Sequence, residues 1–210
     1  TKFPTHKVKD GDELNVGKIK LKFMETPGHT PEGITILAEH EGEPTKMFTG
    51  DTLFIGDVGR PDLIGSVGFT AEDMGAMLYD SLREKILPLP DETEVYPAHG
   101  AGSLCGKSLS KETWSTLGNQ RKFNYALQPM SKEEFVKLVA ADQLEVPAYF
   151  PKSAAKNLEG SSSLEDLPKP NAFSTEEIEN FDGVVLDVRA KDEFGAGHVP
   201  NAINIGLGGQ

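Results

Sequence analysis

TPGHTPEG at residues 26–33 is the most informative stretch of the sequence, because it places a histidine in a glycine- and proline-rich turn directly after a predicted strand. Residues 8–25, which precede it, alternate partly between apolar and polar side chains and predict short strands joined by a turn at Gly11 and Asp12. A strand end holds a side chain rigidly, and the adjacent turn leaves room for an ion. His29 is therefore a candidate metal ligand.

Two further stretches repeat this arrangement. FTGDTLF at residues 48–54 places Asp51 after a second predicted strand, and YPAHG at residues 96–100 places His99 after a third. Imidazole nitrogen and carboxylate oxygen suit Zn²⁺ or Fe²⁺. Taken singly, such residues are more often solvated or part of a turn. Their agreement with one another and with the strand pattern predicts one shared metal site.

Helices are predicted around these strands. An apolar stripe over residues 70–90, begun by Thr70 as N-cap, predicts a helix between the second and third stretches. Ser131 and Glu134 form a capping box that predicts another over residues 131–143. Residues 110–127 are also expected to be helical. Strands followed by a helix and a further strand describe half of an α/β or αββα domain.

Composition excludes several classes of function. With 37% hydrophobic residues the chain is globular, and its net charge of −12 argues against nucleic-acid binding through phosphate attraction. The sequence contains no apolar run of about 20 residues, so no membrane span is expected, and its start has no apolar stretch of the kind a signal peptide needs. Cys105 is the single cysteine. An intrachain disulfide is thus impossible, and a reducing cytoplasm is expected.

The pattern changes after residue 156. Residues 1–156 form the first predicted domain, and residues 157–172 are rich in proline, serine and glycine, as in a linker. From residue 173 to residue 210 the sequence again alternates between helix and strand signals, with apolar strands in VVLDV and AINI. This region predicts the start of a second α/β domain.

The first domain resembles a known superfamily. TPGHTPEG, FTGDTLF and PAHG resemble the third, fourth and fifth metal motifs of the metallo-β-lactamase superfamily, which implies a partial αββα fold. GDVGRPDL at residues 56–63 resembles the GRxD segment of persulfide dioxygenases, which are iron enzymes. LYDSL, KILPLP and SKEEFV also fit that family, and the resemblance covers residues 1 to about 150.

The resemblance implies roles for three metal-site residues. In that family the iron is held by two histidines and one aspartate, which carries over to His29 and Asp51 as catalytic metal ligands. The other family histidine comes from an upstream HxHxDH motif that these residues lack, so the chain is expected to be a piece of a longer protein. His99 carries over as a near-site metal residue, at the position used for a second ion by dinuclear hydrolases.

Two more residues are implied to bind substrate. Arg60 would contact the carboxylate or sulfur anion of the substrate, since a guanidinium suits such anions; the alternative is a structural salt bridge to Asp57 or Asp62. Cys105, in GSLCG, would hold or relay sulfane sulfur near the metal; the alternative is a small buried side chain.

The last segment resembles the opening of a rhodanese domain. VVLDVR at residues 184–189 and GHVPNAINI at residues 197–205 match its first strand and its GHxPGAxN motif, with Asn201 where glycine is usual. These residues are mainly structural in that family, so His198 is not expected to be a ligand. Residues 173–210 contain no cysteine, and this part therefore shows no sulfurtransferase nucleophile.

The expected function is oxidation of glutathione persulfide, or a similar small persulfide, by O₂ to sulfite at one Fe²⁺. A fused rhodanese would add sulfur transfer in sulfide metabolism or detoxification. One alternative is a glyoxalase-II-like thioester hydrolase with two Zn²⁺ ions bridged by Asp51. Another is a non-catalytic sulfur carrier. The sequence does not fix the oligomeric state and is compatible with a homo-oligomer.

Overall fold

The chain divides into two units, residues 1–160 and residues 161–210. The computed structural model describes residues 4–62, 68–107, 109–141, 148–160 and 162–208. Within these ranges no helix combines the length and the apolar character that crossing a membrane requires.

The first unit is built on a six-stranded sheet in which spatial order follows chain order. Its strands are β1 Glu13–Val16, β2 Ile19–Glu25, β3 Ile34–Glu39, β4 Lys46–Gly50, β5 Glu94–Pro97 and β6 Ser115–Thr116. Neighbouring strands are antiparallel except β4 and β5, which are parallel. A parallel pair needs a crossover connection, and the predicted helix after residue 70 supplies it.

The described helices of this unit are α1 Ala71–Asp80, a π-helical continuation Ser81–Ile86, α2 Leu117–Phe123, a 3₁₀ turn Tyr125–Leu127, α3 Lys132–Ala140 and α4 Phe150–Glu159. The predicted caps are confirmed. The Thr70 hydroxyl accepts a hydrogen bond from the Asp73 N–H at 3.1 Å. Ser131 and Glu134 bond reciprocally as a capping box. Each such cap satisfies backbone donors that the first helical turn leaves unpaired.

The core lies between one face of the sheet and the helices. It combines sheet residues with residues of α1, the π-helix and α3: Met24, Leu37, Met47, Val95, Leu78, Leu82, Ile86, Phe135 and Val139. Burying each such side chain stabilises the fold by about 1.5–3 kcal/mol. The helices are thereby fixed against the sheet whose strand ends carry the predicted ligands.

The other face of the sheet is apolar as well. Phe23, Ile36, Phe48 and Tyr96 form a cross-strand row in register over β2 to β5. Phe48 is 45% exposed and stacks on Tyr96, which stacks in turn on the 50% exposed Trp114. Sheets with apolar side chains on both faces are typical of folds in which both faces are covered. This agrees with the predicted partial αββα layering.

The second unit has the predicted alternation of helix and strand. Its elements are a 3₁₀ turn Leu164–Asp166, α5 Thr175–Glu179, β7 Leu186–Asp187, α6 Lys191–Ala196 and β8 Ile203–Asn204. The two strands pair in parallel. They are shorter than the apolar runs from which they were predicted, because pairing is confined to Leu186 with Ile203 and Asp187 with Asn204.

Three local predictions need correction. The turn that joins β1 and β2 lies at Gly17 and Lys18, where Gly17 has a φ of +62°, and not at Gly11 and Asp12. Residues 110–127 are helical over Leu117–Phe123 only, because Ser115 and Thr116 pair with β5 and the Thr116 hydroxyl then caps α2. The segment predicted as linker is entered by α4, which continues to Glu159. The domain boundaries at 156 and 172 stay predictions.

Candidate metal centre

The three predicted ligands meet at one edge of the sheet. β2 and β4 are both antiparallel to β3, and β4 is parallel to β5, so these three strands run in the same direction. Their carboxyl ends therefore share an edge, and His29, Asp51 and His99 follow those ends. The structure places them close together, as their shared placement after predicted strands led us to expect.

His29 and Asp51 form the buried part of the site. The imidazole Nε2 of His29 lies 3.2 Å from Oδ2 of Asp51, and the two side chains are 11% and 20% exposed. On the other side of the ring, Nδ1–H of His29 donates to the carbonyl oxygen of Arg60 at 2.8 Å. A carbonyl can only accept, so this bond fixes the tautomer and leaves Nε2 as the nitrogen that can bind a metal.

Neighbouring charges and hydrogen bonds shift the pKa values of both His29 and Asp51. Burial disfavours a charged imidazole, but the Asp51 carboxylate, together with Cys105 and the Arg60 carbonyl, outweighs it and raises the pKa of His29 to about 9. Burial alone would raise the pKa of Asp51, but its bonds to His29 and His99 lower it below the usual range for a carboxyl. Without metal the pair is a histidinium and a carboxylate, and a cation replaces the Nε2 proton when it binds.

His99 contacts the other oxygen of the same carboxylate. Its Nδ1 lies 2.6 Å from Oδ1 of Asp51, and its side chain is 43% exposed. Each of the two histidines thus contacts a different oxygen of the Asp51 carboxylate. His99 occupies the outer position, which fits the near-site role that the sequence resemblance implied.

The Cys105 sulfur lies close to the ligand atoms of His29 and Asp51. Among the described residues, His29, Asp51 and Cys105 each offer one ligand atom, and these three atoms lie within 4.8 Å of one another. Nitrogen, oxygen and thiolate sulfur in such a group suit a transition metal or Zn²⁺. Sequence analysis assigned Cys105 to the substrate, and its place among the ligand atoms was missed because Cys105 follows no predicted strand.

Arg60 connects the His29 ring to the Cys105 loop. Its backbone N–H donates to the Cys105 carbonyl at 2.9 Å, and its Nη1 donates to the Leu104 carbonyl at 3.3 Å. The guanidinium is buried and pairs in a bidentate manner with Asp62, at 2.7 and 2.6 Å. Of the two interpretations left open by the sequence, the geometry gives the salt bridge to Asp62. A contact between Arg60 and substrate stays a prediction.

Close packing explains two glycines of the motifs. A Cβ on Gly59 would overlap the backbone carbonyl of Asp51 and press on the His29 ring. A Cβ on Gly28 would overlap Leu78 of α1. From the following π-helix, the Ser81 hydroxyl donates to the Pro27 carbonyl at 2.8 Å. The turn that carries His29 is thus held directly against the helix.

Asp57 is a buried residue that sequence reasoning considered only as a salt-bridge partner. It is fully buried, and Oδ1 accepts hydrogen bonds from the Val58 N–H and the Tyr125 hydroxyl, both at 2.8 Å. Oδ2 accepts one from the Lys107 N–H at 2.7 Å. Burial and the neighbouring carboxylate raise the pKa of Tyr125. Asp57 therefore ties the Cys105 loop to the segment that follows β4.

Family comparisons agree with this geometry. Residues 1–99 match the model of the metallo-beta-lactamase superfamily. The first unit belongs to the metallo-beta-lactamase superfamily. Residues 171–209 match the model of the rhodanese-like domain, so the superfamily domain is followed in the chain by a rhodanese-like segment.

Two curated proteins of known activity are similar to this chain in sequence. Over 141 residues the chain is 36% identical to the mitochondrial persulfide dioxygenase ETHE1 of Bos taurus, covering 67% of this chain and 47% of that protein. Over 124 residues it is 37% identical to the hydroxyacylglutathione hydrolase of Dictyostelium discoideum, covering 58% and 42%. The chain spans about half the length of the curated relatives it matches.

A solved metallo-beta-lactamase from Staphylococcus aureus subsp. aureus COL extends the similarity to nearly the whole chain. It is 33% identical, with a TM-score of 0.78 over 96% of this chain and 56% of that one. The superfamily fold of the first unit is therefore shared by a relative of known structure.

Proposed function

We propose that this protein is a persulfide dioxygenase that uses one Fe²⁺ held by His29 and Asp51. The main support is the close spacing and the chemistry of the ligand atoms of His29, Asp51 and Cys105. These ligand atoms lie within 4.8 Å of one another. His29 and Asp51 can therefore share one ion, and one imidazole with one carboxylate leaves positions open for reactants beside the Cys105 sulfur. Similarity to persulfide dioxygenases supports the same assignment.

The donor chemistry fits a bound transition-metal ion. His29 presents Nε2 because its Nδ1–H is engaged by the Arg60 carbonyl, and Asp51 presents Oδ2 beside it. When bound, iron would supply the redox centre at which a persulfide is oxidised by O₂. In balance, a persulfide, dioxygen and water give a thiol, sulfite and protons, with the outer sulfur oxidised and dioxygen reduced.

The side chains around this position orient the reactants. The Cys105 sulfur lies beside the ligand atoms, where it can contact the sulfane sulfur of a small persulfide. Its loop is fixed by the Arg60 N–H and by Asp57. The partly exposed His99 stands on the open side of Asp51, where its imidazole can exchange protons with the thiol or with water.

The rhodanese-like segment suggests a second activity. In the whole protein we propose that it passes sulfane sulfur between thiols through a cysteine persulfide, which would link persulfide supply to oxidation. The substrates are then a small persulfide, with glutathione persulfide as the first to test, and O₂. A single cysteine is compatible with the reducing cytoplasm that we propose as the compartment.

A thioester hydrolase is the second candidate. It is favoured by the contact of His99 with the second oxygen of Asp51, which would let this carboxylate bridge two zinc ions. The similarity to a hydroxyacylglutathione hydrolase points the same way.

Oxygen uptake separates the two candidates. The purified protein, with the upstream HxHxDH motif restored, is loaded with Fe²⁺ without oxygen and then mixed with glutathione persulfide in aerated buffer. We expect O₂ consumption with release of sulfite, lost in His29→Ala and kept in the control His40→Ala, a histidine on an exposed part of the sheet rim. Hydrolysis of S-acylglutathione by a zinc-loaded protein that takes up no O₂ would establish the hydrolase instead.

A further inference from the structure

Three buried threonine hydroxyls lie beneath the candidate metal centre. Thr26 and Thr35 are fully buried, and Thr52 is 3% exposed. The Thr26 hydroxyl lies 3.0 Å from that of Thr35 and 2.9 Å from that of Thr52. The Thr52 hydroxyl is also 3.3 Å from the Thr26 carbonyl oxygen. We call Thr26, Thr35 and Thr52 the threonine cluster.

The threonine cluster connects the two ligand loops. Thr26 opens the turn that carries His29, and its N–H donates to Gly33 at the end of that turn. Thr52 directly follows Asp51, and its N–H donates to the Thr49 carbonyl. Thr35 lies on β3, between the strands that lead into the two loops. The hydroxyls of the threonine cluster thus form a continuous polar connection between the two ligand loops.

Buried hydroxyls constrain their surroundings more than apolar groups of equal size. A hydroxyl that loses its partner inside the protein is costly, and linked hydrogen bonds strengthen one another. A shift of the Asp51 loop relative to the His29 turn would separate Thr52 from Thr26. The hydrogen bond between their two hydroxyls would then be lost. The cluster thus favours one relative placement of the loops.

We infer that the threonine cluster is a positioning element of the metal centre. It holds the Asp51 carboxylate at the distance from His29 at which both bind the same ion, and it contacts neither ion nor substrate itself. This inference rests on the proposed function, since it takes His29 and Asp51 as metal ligands. Groups that hydrogen-bond to metal ligands typically change metal affinity by about 10–100-fold, and the cluster acts on the same ligands through the backbone of their loops.

Substitutions can separate positioning from packing. Thr52→Val and Thr35→Val keep nearly the same shape and remove a hydroxyl, whereas Thr52→Ser keeps the hydroxyl and removes a methyl group. Thr93→Val is the matched control, because Thr93 is 1% exposed and lies where β5 begins, at the opposite end of that strand from His99. All four substitutions can lower the stability of the protein, so a loss of stability alone does not distinguish positioning from packing.

The test is an oxygen-free titration of the purified protein with Fe²⁺, alongside urea unfolding. We expect Thr52→Val and Thr35→Val to weaken iron binding by about tenfold or more, while Thr52→Ser and Thr93→Val bind like wild type. Unchanged affinity in Thr52→Val, with a stability loss similar to that of Thr93→Val, would overturn the inference.

A metal-free readout keeps the two proposals apart. In the crystal structure of Thr52→Val we expect the separation of His29 Nε2 and Asp51 Oδ2 to exceed the 3.2 Å of the native pair. An unchanged separation would refute positioning by the cluster, whatever the metal. If the wild-type protein binds no iron but the separation widens in the variant, the proposed function fails and the positioning role stands.

Discussion

At the scale of single residues, Arg60 shows how a buried ion pair supports the site. Its side chain is 1% exposed and that of Asp62 is 20% exposed. We expect Arg60→Ala to lower the free energy of unfolding by about 3 kcal/mol, because Asp62 loses its partner and the Leu104 carbonyl loses a donor. Urea unfolding measures this loss.

The same variant tests the substrate role implied by the sequence. A substrate contact predicts that Arg60→Ala raises KM more than Asp62→Ala does, in addition to the loss of stability from the broken pair. Asp62→Ala serves as the control, since it breaks the same pair and keeps the guanidinium. Equal loss of stability in both variants with unchanged KM would leave Arg60 with a structural role.

His29 makes the stability of the metal-free protein depend on pH. Its pKa rises from 6.5 to about 9 on folding, so protonated His29 stabilises the folded state. This contribution is fully present below pH 6.5 and is lost as the pH rises towards 9. We expect the free energy of unfolding to fall across this range in wild type and in His40→Gln, and to stay flatter in His29→Gln. Unfolding curves at several pH values, with a chelator present, measure it. The same slope in all three proteins would contradict the assignment.

Sequence reasoning located part of this site for a physical reason. His29, Asp51 and His99 follow strands, and strand direction determines which ends meet. The Cys105 loop is held in the same place by two hydrogen bonds: the Arg60 N–H donates to the Cys105 carbonyl, and the Asp57 carboxylate accepts from the Lys107 N–H. Each bond joins residues more than 40 positions apart in the sequence. No local pattern encodes such bonds, so Cys105 could be assigned to the site by resemblance but not placed among the ligand atoms.

At the scale of elements, α1 and its π-helical continuation hold the turn that carries His29. A Cβ at Gly28 would overlap Leu78, and the backbone there has a φ of +151°. We expect Gly28→Ala to destabilise the protein by about 1–3 kcal/mol and to weaken iron binding, because the turn must move away from α1.

The control for this prediction is Gly195→Ala in α6, where a Cβ would meet open space. Alanine there should be neutral or slightly stabilising. Thermal unfolding and iron titration of both variants measure the difference. A Gly28→Ala protein as stable as Gly195→Ala would show that the close contact with α1 is not needed.

Elements with clear local signals were predicted well. The caps at Thr70 and Ser131 and the strand Glu94–Pro97 were confirmed, because each depends on neighbouring residues. The π-helix over Ser81–Ile86 and the short strand Ser115–Thr116 were not predicted. Both depend on packing against distant residues, Pro27 for the first and β5 for the second.

At the scale of the whole molecule, the chain has two units whose connection is rich in small residues and proline. The structure divides them at residue 160, directly after the end of α4 at Glu159 and inside the predicted linker 157–172. Residues 151–159 of α4 are all exposed, and Phe150 at its start is partly exposed. We expect a protease at low concentration to cut first within residues 157–172, giving two fragments that mass spectrometry identifies. Earlier cleavage inside residues 10–140 would contradict this boundary.

We propose that His29 and Asp51 together hold one ferrous ion. Metal content per chain is measured after reconstitution without oxygen in the wild-type protein with the upstream HxHxDH motif restored, and in its Asp51→Ala and His99→Ala variants. We expect about one iron per chain in wild type, none in Asp51→Ala, and a smaller loss in His99→Ala. Two zinc ions per chain, or iron retained after Asp51→Ala, would contradict the account.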